Sequence, residues 1–416
     1  MTQRQPHGRL ERALHRLAFA TGRAQIGLAD LETRWFRREL AACSAERPVW
    51  IAGLPRAGST LLHELLACCP EFATQTYRDV PFVATPMLWR GLSQPFWRDP
   101  GLAERAHGDG MTVSPDSPAA VEEHLWSLHF PSRYRTTTQA PWPDDVDPAF
   151  ARAFADHRRK VVALRKRTEP RASRYLAKDN QHILRIPLLL QLAPDARILV
   201  PFREPATHAA SLCRQHAHFL AMHRADPFTA RAMRHLGHFD FGVNRKPIDF
   251  ANWLARADAE HDPNHWLAYW VAAYEALSSQ AHDPRVRLVE PTRFAASRHA
   301  QALADWLGIV DATPLARAME RVRAPTHATL DTASFDTALL DRAMTLHARL
   351  RSQAAHPDCP LLRRPHLRRR GGATRVLNPP QTMRLQSNGI FCCANFASRG
   401  SAITSLLTRS RWARDL

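Results

Sequence analysis

The run Pro55-Arg56-Ala57-Gly58-Ser59-Thr60 places a glycine, two hydroxyls and one cation in a single turn, a composition suited to holding a phosphate-like anion. Gly53 and Gly58 stand five apart, as in the phosphate-binding pattern G-x-x-x-x-G-K-[ST], and Thr60 fills its last position. Ser59 occupies the place of the lysine that reaches the β- and γ-phosphates of a nucleoside triphosphate, which leaves Arg56 as the cation of the loop. A nucleotide phosphate is therefore held here in another manner than in an ATP or GTP hydrolase. Two further segments bring cations toward the same ligand: Lys178 in LAKDNQH, and Arg203 with Ser211 in PFREPATHAAS. An arginine ending a strand, with a serine two turns into the following helix, can grip one phosphate between guanidinium and hydroxyl.

Positioning these groups falls to the elements around them. Val49 to Ala52 reads as a buried parallel strand, and Leu61, Leu62, Leu65 and Leu66 recur at helical spacing. A strand, a tight turn and a helix N-terminus together aim backbone N–H groups and the helix dipole at an anion. Tyr175 to Ala177 reads as a second strand, followed by an apolar helix from Ile183 to Leu192, and ARILVPF as a third strand ending at Arg203. A helix begins near Pro205, where proline suits the first turn. RVRLVEP reads as a fourth strand and ADWLGIV closes a further helix. Helical periodicity also marks Leu10 to Leu40 (one or two helices), Ser117 to Phe130, residues 149–165, and an amphipathic stretch through Trp266, Tyr269, Trp270, Tyr274 and Leu277. Tyr77 to Trp97, rich in proline and aromatic residues, reads as an irregular pocket-lining segment. Strands alternating with helices predict an α/β, three-layer, P-loop-like fold with a central parallel sheet flanked by helices, and ligand at the C-terminal strand ends. The expected division is a helical lead-in (1–47), a catalytic domain (48–355) and a basic, disordered tail (356–416).

Charge and composition narrow the class. The net charge of +18 sits largely at the ends: the first 47 residues carry +4 and the tail from His356 carries +9. The body is thus no polycation, and no specific nucleic-acid partner is expected. Nearly all the basic residues are arginine, with lysine only at 160, 166, 178 and 246, a skew that fits a GC-rich bacterial genome. No apolar run approaches the ~20 residues that span a bilayer, and the N-terminus has no signal-peptide pattern. Seven cysteines without a C-x-x-C pair predict reduced thiols and a cytoplasmic protein. His216, His218 and His223 are not read as a metal site in a chain with 22 histidines, and no metal is expected.

Taken together these motifs resemble the PAPS-dependent sulfotransferases (PAPS being 3′-phosphoadenosine 5′-phosphosulfate), in particular a broad bacterial branch whose loops are similar to those of tyrosylprotein sulfotransferases. PRAGST stands where that family has PR-x-G-T-T, and REPATHAAS, Arg203 to Ser211, where it has R-D-P-x(5)-S, with Glu204 in place of Asp. KDNQHILRIPLLLQLAPDARIL is similar to the family's lysine-containing run, with Asn180 where a proline is usual. LVEPTRFAASRHAQALADWLGI resembles a later segment, so that the likeness spans about residues 30 to 325. The resemblance implies that Pro55, Arg56, Ala57, Gly58, Ser59 and Thr60 hold the 5′-phosphosulfate of PAPS and that Arg203 and Ser211 hold its 3′-phosphate. It further implies that Lys178 stabilises the bridging oxygen and the departing phosphate.

A base for the acceptor is not carried over, because the acidic pair of the tyrosine-sulfating enzymes reads Thr76-Tyr77 here. Asp79 is the first candidate, with Glu122, Glu123 and His124 as alternatives. His182 is expected to pack or bond locally. The expected activity is sulfuryl transfer from PAPS to a hydroxyl or amine on a small molecule, glycan or lipid by in-line displacement, with Lys178, Arg56 and Asp79 as catalytic residues. An atypical P-loop kinase, or a nucleotide- or nucleic-acid-binding module without turnover, are the alternatives.

Overall fold

Strands too short to show a period and buried on both faces form the centre of the molecule. Its structure, a computed structural model, describes residues 9–19, 22–97, 101–104, 111–291, 298–322 and 332–355, and the expected tail lies outside them. The strands are β1 (Val49–Ile51), β2 (Phe72–Ala73), β3 (Ala103–Glu104), β4 (Thr112–Val113), β5 (Arg174–Lys178), β6 (Arg197–Pro201) and β7 (Val286–Val289). β3 and β4 pair antiparallel as a separate two-stranded ribbon. The other five make one sheet in the order β2-β5-β1-β6-β7, every pairing parallel. β1 lies at the centre, with Ile51 beside Lys178 of β5 and Leu199 of β6. The three segments singled out in the sequence therefore leave one sheet edge side by side.

Successive side chains of a strand point to opposite faces, and here both faces are dry. Trp50, Ala52, Tyr175, Ala177, Ile198 and Val200 belong to one core, and Val49, Ile51, Leu176, Leu199 and Val289 to the other. In chain order the helices are α1 (Arg9–Ala18), α2 (Gly22–Trp35), α3 (Arg37–Ala41), α4 (Ser59–Ala67), α5 (Pro86–Ser93), α6 (Glu123–His129) and α7 (Pro148–Lys166). There follow α8 (Ile186–Leu192), α9 (Pro205–Ala225), α10 (Pro227–His235), α11 (Pro263–Gln280), α12 (Arg298–Leu307), α13 (Thr313–Glu320) and α14 (Thr337–Ala355). Leu62, Leu65 and Leu66 of α4 pack with Leu303 and Leu307 of α12 and Leu315 of α13 on one face. Phe154 of α7, Leu212 of α9, Trp270 of α11 and Leu346 of α14 cover the other. Helices on both faces of a parallel sheet give the expected three-layer α/β fold.

Several local expectations are revised. Residues 77–97 are not irregular throughout: Pro86 starts α5, the one place in a helix where proline costs nothing. The helix expected over 117–130 begins at Glu123, because the preceding chain bonds back to residues 75–78 instead. Ala119 N donates to Gln75 O (2.9 Å), and Arg78 N to Pro115 O (3.0 Å). α11 is buried on several sides rather than on one stripe, which fits its position between α9 and α14. The lead-in is three helices, and it is tied to the body by a buried ion pair, Lys160 Nζ to Glu32 Oε2 at 3.1 Å. Glu32 Oε1 also accepts from Leu88 N at 2.7 Å, and Lys160 donates to Ala29 O at 2.6 Å. Among the described residues no helix is long and apolar enough to cross a membrane.

Candidate active site

The loop between β1 and α4 owes its shape to two positive φ angles. Ala57 N donates to Leu54 O at 3.3 Å, closing a turn with Pro55 second and Arg56 third. Arg56 sits at φ +69°, the left-handed region a type II turn requires at that position and glycine normally fills. A non-glycine residue there carries about 1–2 kcal/mol of strain, a cost found mainly at sites of function. Gly58 follows at φ +92° as the residue before α4, and it offers no side-chain cap to the helix. A helix N-terminus, whose first N–H groups have no intrahelical acceptor, is suited to an anion. A Cβ on Gly58 would lie 2.8 Å from Cβ of Pro291, and one on Gly53 2.9 Å from the ring of Pro201. Gly58→Ala is thus opposed by both its φ and its neighbour. We expect it to destabilise the fold by about 1–3 kcal/mol, read as a lower urea midpoint.

The second segment leaves β6 beside this loop. Arg203 is half-buried two residues beyond the strand, and Glu204 caps α9 by accepting from Ala206 N (3.1 Å) and Thr207 N (2.8 Å). Glutamate thus does here what a helix-capping carboxylate requires. Ser211 is buried on α9, and Arg56 Nε donates to its Oγ at 3.3 Å, so the two expected phosphate grips touch. Burial, then the positive charges of Arg56 and Arg214, lower the pKa of Arg203. Glu204 opposes that shift. His208, which the sequence reading passed over, fastens α9 to the loop by donating from Nε2 to Pro55 O at 2.8 Å. Burial, with the nearby arginines, pushes its pKa down to about 3, so it stays neutral.

Lys178 ends β5 in a buried position. Burial, with the charge of Lys178 adding to it, lowers the pKa of His63 to about 3, and burial and Lys178 likewise lower that of His238. Beyond it Asp179 caps a short 3-10 turn over Asn180–Leu184, accepting from Gln181 N at 2.9 Å. Ser59 of the anion loop donates to Asn180 Oδ1 at 3.4 Å, and Asn180 Nδ2 donates to Asp240 Oδ2 at 2.7 Å. Gln181 Nε2 donates to Asp240 Oδ1 at 3.3 Å. Asp240, which no motif in the sequence pointed to, therefore joins the Lys178 end of the site through two amides.

The four residues offered from sequence as acceptor bases lie elsewhere or are engaged. Asp79 is buried in a capping box, accepting from Thr76 N at 2.7 Å. Burial raises its pKa to about 6 against the pull of Thr76 and Arg90, and its charged neighbours are Arg90 and Glu32 rather than Lys178. His124 bonds His235 O (2.9 Å) and Gln25 Oε1 (2.7 Å), and burial lowers its pKa to about 4. Glu123 pairs with Arg185 and accepts from the Tyr134 hydroxyl. Burial still leaves its pKa raised to about 7. Glu122 lies under the sheet, accepting from Tyr175 OH (2.7 Å), Trp50 Nε1 (3.1 Å) and Trp126 Nε1 (3.1 Å), with His182 Nε2 at 3.2 Å. His182 accordingly bonds locally, as expected.

Burial works against the Glu122 charge, yet these partners hold its pKa down to about 2. Removing the carboxylate strands the Tyr175, Trp50 and Trp126 donors in the core, so Glu122→Ala is expected to cost about 3–5 kcal/mol. The sign of the pH effect follows from a depressed folded pKa. The contribution is whole above the unfolded value of about 4.3 and is lost as pH falls toward 2. Chemical denaturation of wild type and variant between pH 7 and pH 3 should show their difference shrinking toward the acid end.

Comparison with known proteins gives a consistent set of likenesses. The family model described as the sulfotransferase family matches residues 48–312. No curated protein matches the sequence. Among solved structures, sulfotransferase STF1 from Mycobacterium tuberculosis H37Rv is 16% identical with a TM-score of 0.42, over 79% of this chain and 81% of its own. Sulfotransferase STF9 from Mycobacterium avium is 12% identical with a TM-score of 0.44, over 76% and 80%. The sulfotransferase domain from the curacin biosynthetic pathway is 11% identical with a TM-score of 0.33, over 74% and 98%.

Proposed function

The chain belongs to the sulfotransferase family, and on that premise we propose that it moves a sulfuryl group from PAPS to a hydroxyl or amine acceptor by in-line displacement. The observation that carries this reading is the contact of Arg56 with Ser211 beside Arg203. It makes one continuous cationic floor of the loop suited to a 5′-phosphosulfate and the pair suited to a 3′-phosphate. Pro55, Arg56 and Ala57 shape the turn, while the N–H groups of Gly58, Ser59 and Thr60 and the Arg56 guanidinium hold the 5′ end. Arg203 and Ser211 hold the 3′-phosphate, the group that separates this donor from ATP. Lys178, at the end of the adjoining strand, stabilises charge developing on the bridging oxygen as the S–O bond breaks.

In such a reaction positioning and fixed charge supply most of the acceleration. Arg56, Lys178 and Arg203 supply three cations, and a metal requirement is not part of the proposal. The acceptor class is a small molecule, glycan or lipid bearing a hydroxyl or amine. The test uses sulfur-labelled PAPS with phenol, alcohol and amine acceptors in the presence of a chelator. Label appearing on an acceptor with an equal amount of adenosine 3′,5′-bisphosphate supports the reading. Phosphoryl transfer from ATP with Mg²⁺, and no movement of label, contradicts it.

A further inference from the structure

Asp240 is linked to the anion loop by a chain of hydrogen bonds through one intervening side chain. Its two oxygens accept from neutral amides, Asn180 at 2.7 Å and Gln181 at 3.3 Å. Asn180 in turn accepts from Ser59, the second residue before Leu61 at the start of α4. A single side chain thus separates Asp240 from the phosphate loop, and Lys178 and Asp179 act on its charge. Asn180 stands where the resembling family has a proline, whose ring could neither donate to Asp240 nor accept from Ser59. Asp240 as a residue is half-buried.

Resting on the sulfotransferase reading, we propose that Asp240 is the base that takes the acceptor's proton, with Asn180 and Gln181 positioning it. The acceptor oxygen forms the new O–S bond while the bond from sulfur to the bridging oxygen breaks. That electron pair stays on the departing phosphate, and the acceptor proton passes to Asp240 and then to solvent. Burial raises the Asp240 pKa to about 6, with Asp179 adding to the shift and the Asn180, Lys178 and Gln181 contacts opposing it. A base poised there is ionised at neutral pH and strong enough to assist a hydroxyl. The charged and titratable groups facing it are Lys178 and Asp179 from the end of β5, Arg245 from the following turn and Tyr269 from α11.

The test compares wild type with Asp240→Asn and Asn180→Ala in two measurements on the full chain. Calorimetric titration with adenosine 3′,5′-bisphosphate in buffers of different ionisation enthalpy reads both affinity and proton uptake. The anion raises the carboxyl pKa further, so wild type should take up more protons near pH 6.5 than Asp240→Asn, at affinities within about twofold. Release of labelled sulfate from PAPS to water, and transfer to added phenol, should fall about 10²–10⁴-fold in Asp240→Asn. In wild type the rate should decline below pH about 6, and Asn180→Ala should move that decline upward because a bond favouring the carboxylate is gone. Equal rates and equal proton uptake in Asp240→Asn and wild type would overturn the assignment. Failure of wild type to bind the bisphosphate would instead strike the donor reading on which it rests.

Discussion

Lys178→Met is expected to lower the rate of sulfuryl transfer by about 10²–10³-fold while leaving bisphosphate affinity within about threefold. The bridging oxygen of a phosphosulfate carries little charge in the ground state and gains it as the sulfuryl group departs. A cation aimed at that atom therefore stabilises the transition state more than the bound donor. Lys178 suits the task because β5 fixes it in register with Ile51, at the root of the anion loop, in a buried position where its field is little screened. Methionine keeps the stem and removes the charge, so packing at the strand end is preserved. The measurement is single-turnover label transfer beside bisphosphate titration. A drop in affinity that matches the drop in rate would make Lys178 a binding group only.

Arg203→Ala should weaken adenosine 3′,5′-bisphosphate about 10- to 100-fold, or about 1.4–2.8 kcal/mol, and leave adenosine 5′-phosphosulfate within about twofold. The difference arises because the second ligand lacks the 3′-phosphate that a guanidinium at the end of β6 would grip with Ser211. Arg56→Ala, in contrast, should weaken both ligands, since Arg56 lies in the loop at the 5′ end. Arg56 also bonds Ser211, so its loss should loosen the 3′ grip by a smaller amount. Equal losses for both ligands in Arg203→Ala would remove Arg203 from the 3′ site.

The strand, turn and helix around PRAGST were readable because each leaves a local mark. A short apolar run, glycines where the backbone turns, and leucines at helical spacing all lie within about twenty residues. Arg203 and Ser211 were readable for the same reason, their spacing being fixed by one strand end and one helix. The acceptor side was not. Asp240 meets Asn180 across sixty residues of sequence, in a stretch whose course is set by contacts such as His223 against Gly242 at φ +68°. No period or motif announces that arrangement. Glu122-Glu123-His124 drew attention as a polar triplet, yet its first member is a core anchor for Trp50, Trp126 and Tyr175. A sequence lists the charge of Glu122 but not the three donors that fold around it. β2, two residues long, is too short to show alternation, and α5 was masked by the proline, Pro86, that in fact begins it.

The most direct test of the account is calorimetric titration of the full chain with adenosine 3′,5′-bisphosphate, and separately with ATP and Mg²⁺. Micromolar binding of the bisphosphate without metal, in preference to ATP, is the result expected from Arg56, Ser211 and Arg203 forming one floor. Preference for ATP with Mg²⁺, or no binding of the bisphosphate, would contradict the proposed donor and return the loop to the other phosphate chemistries that its glycines permit.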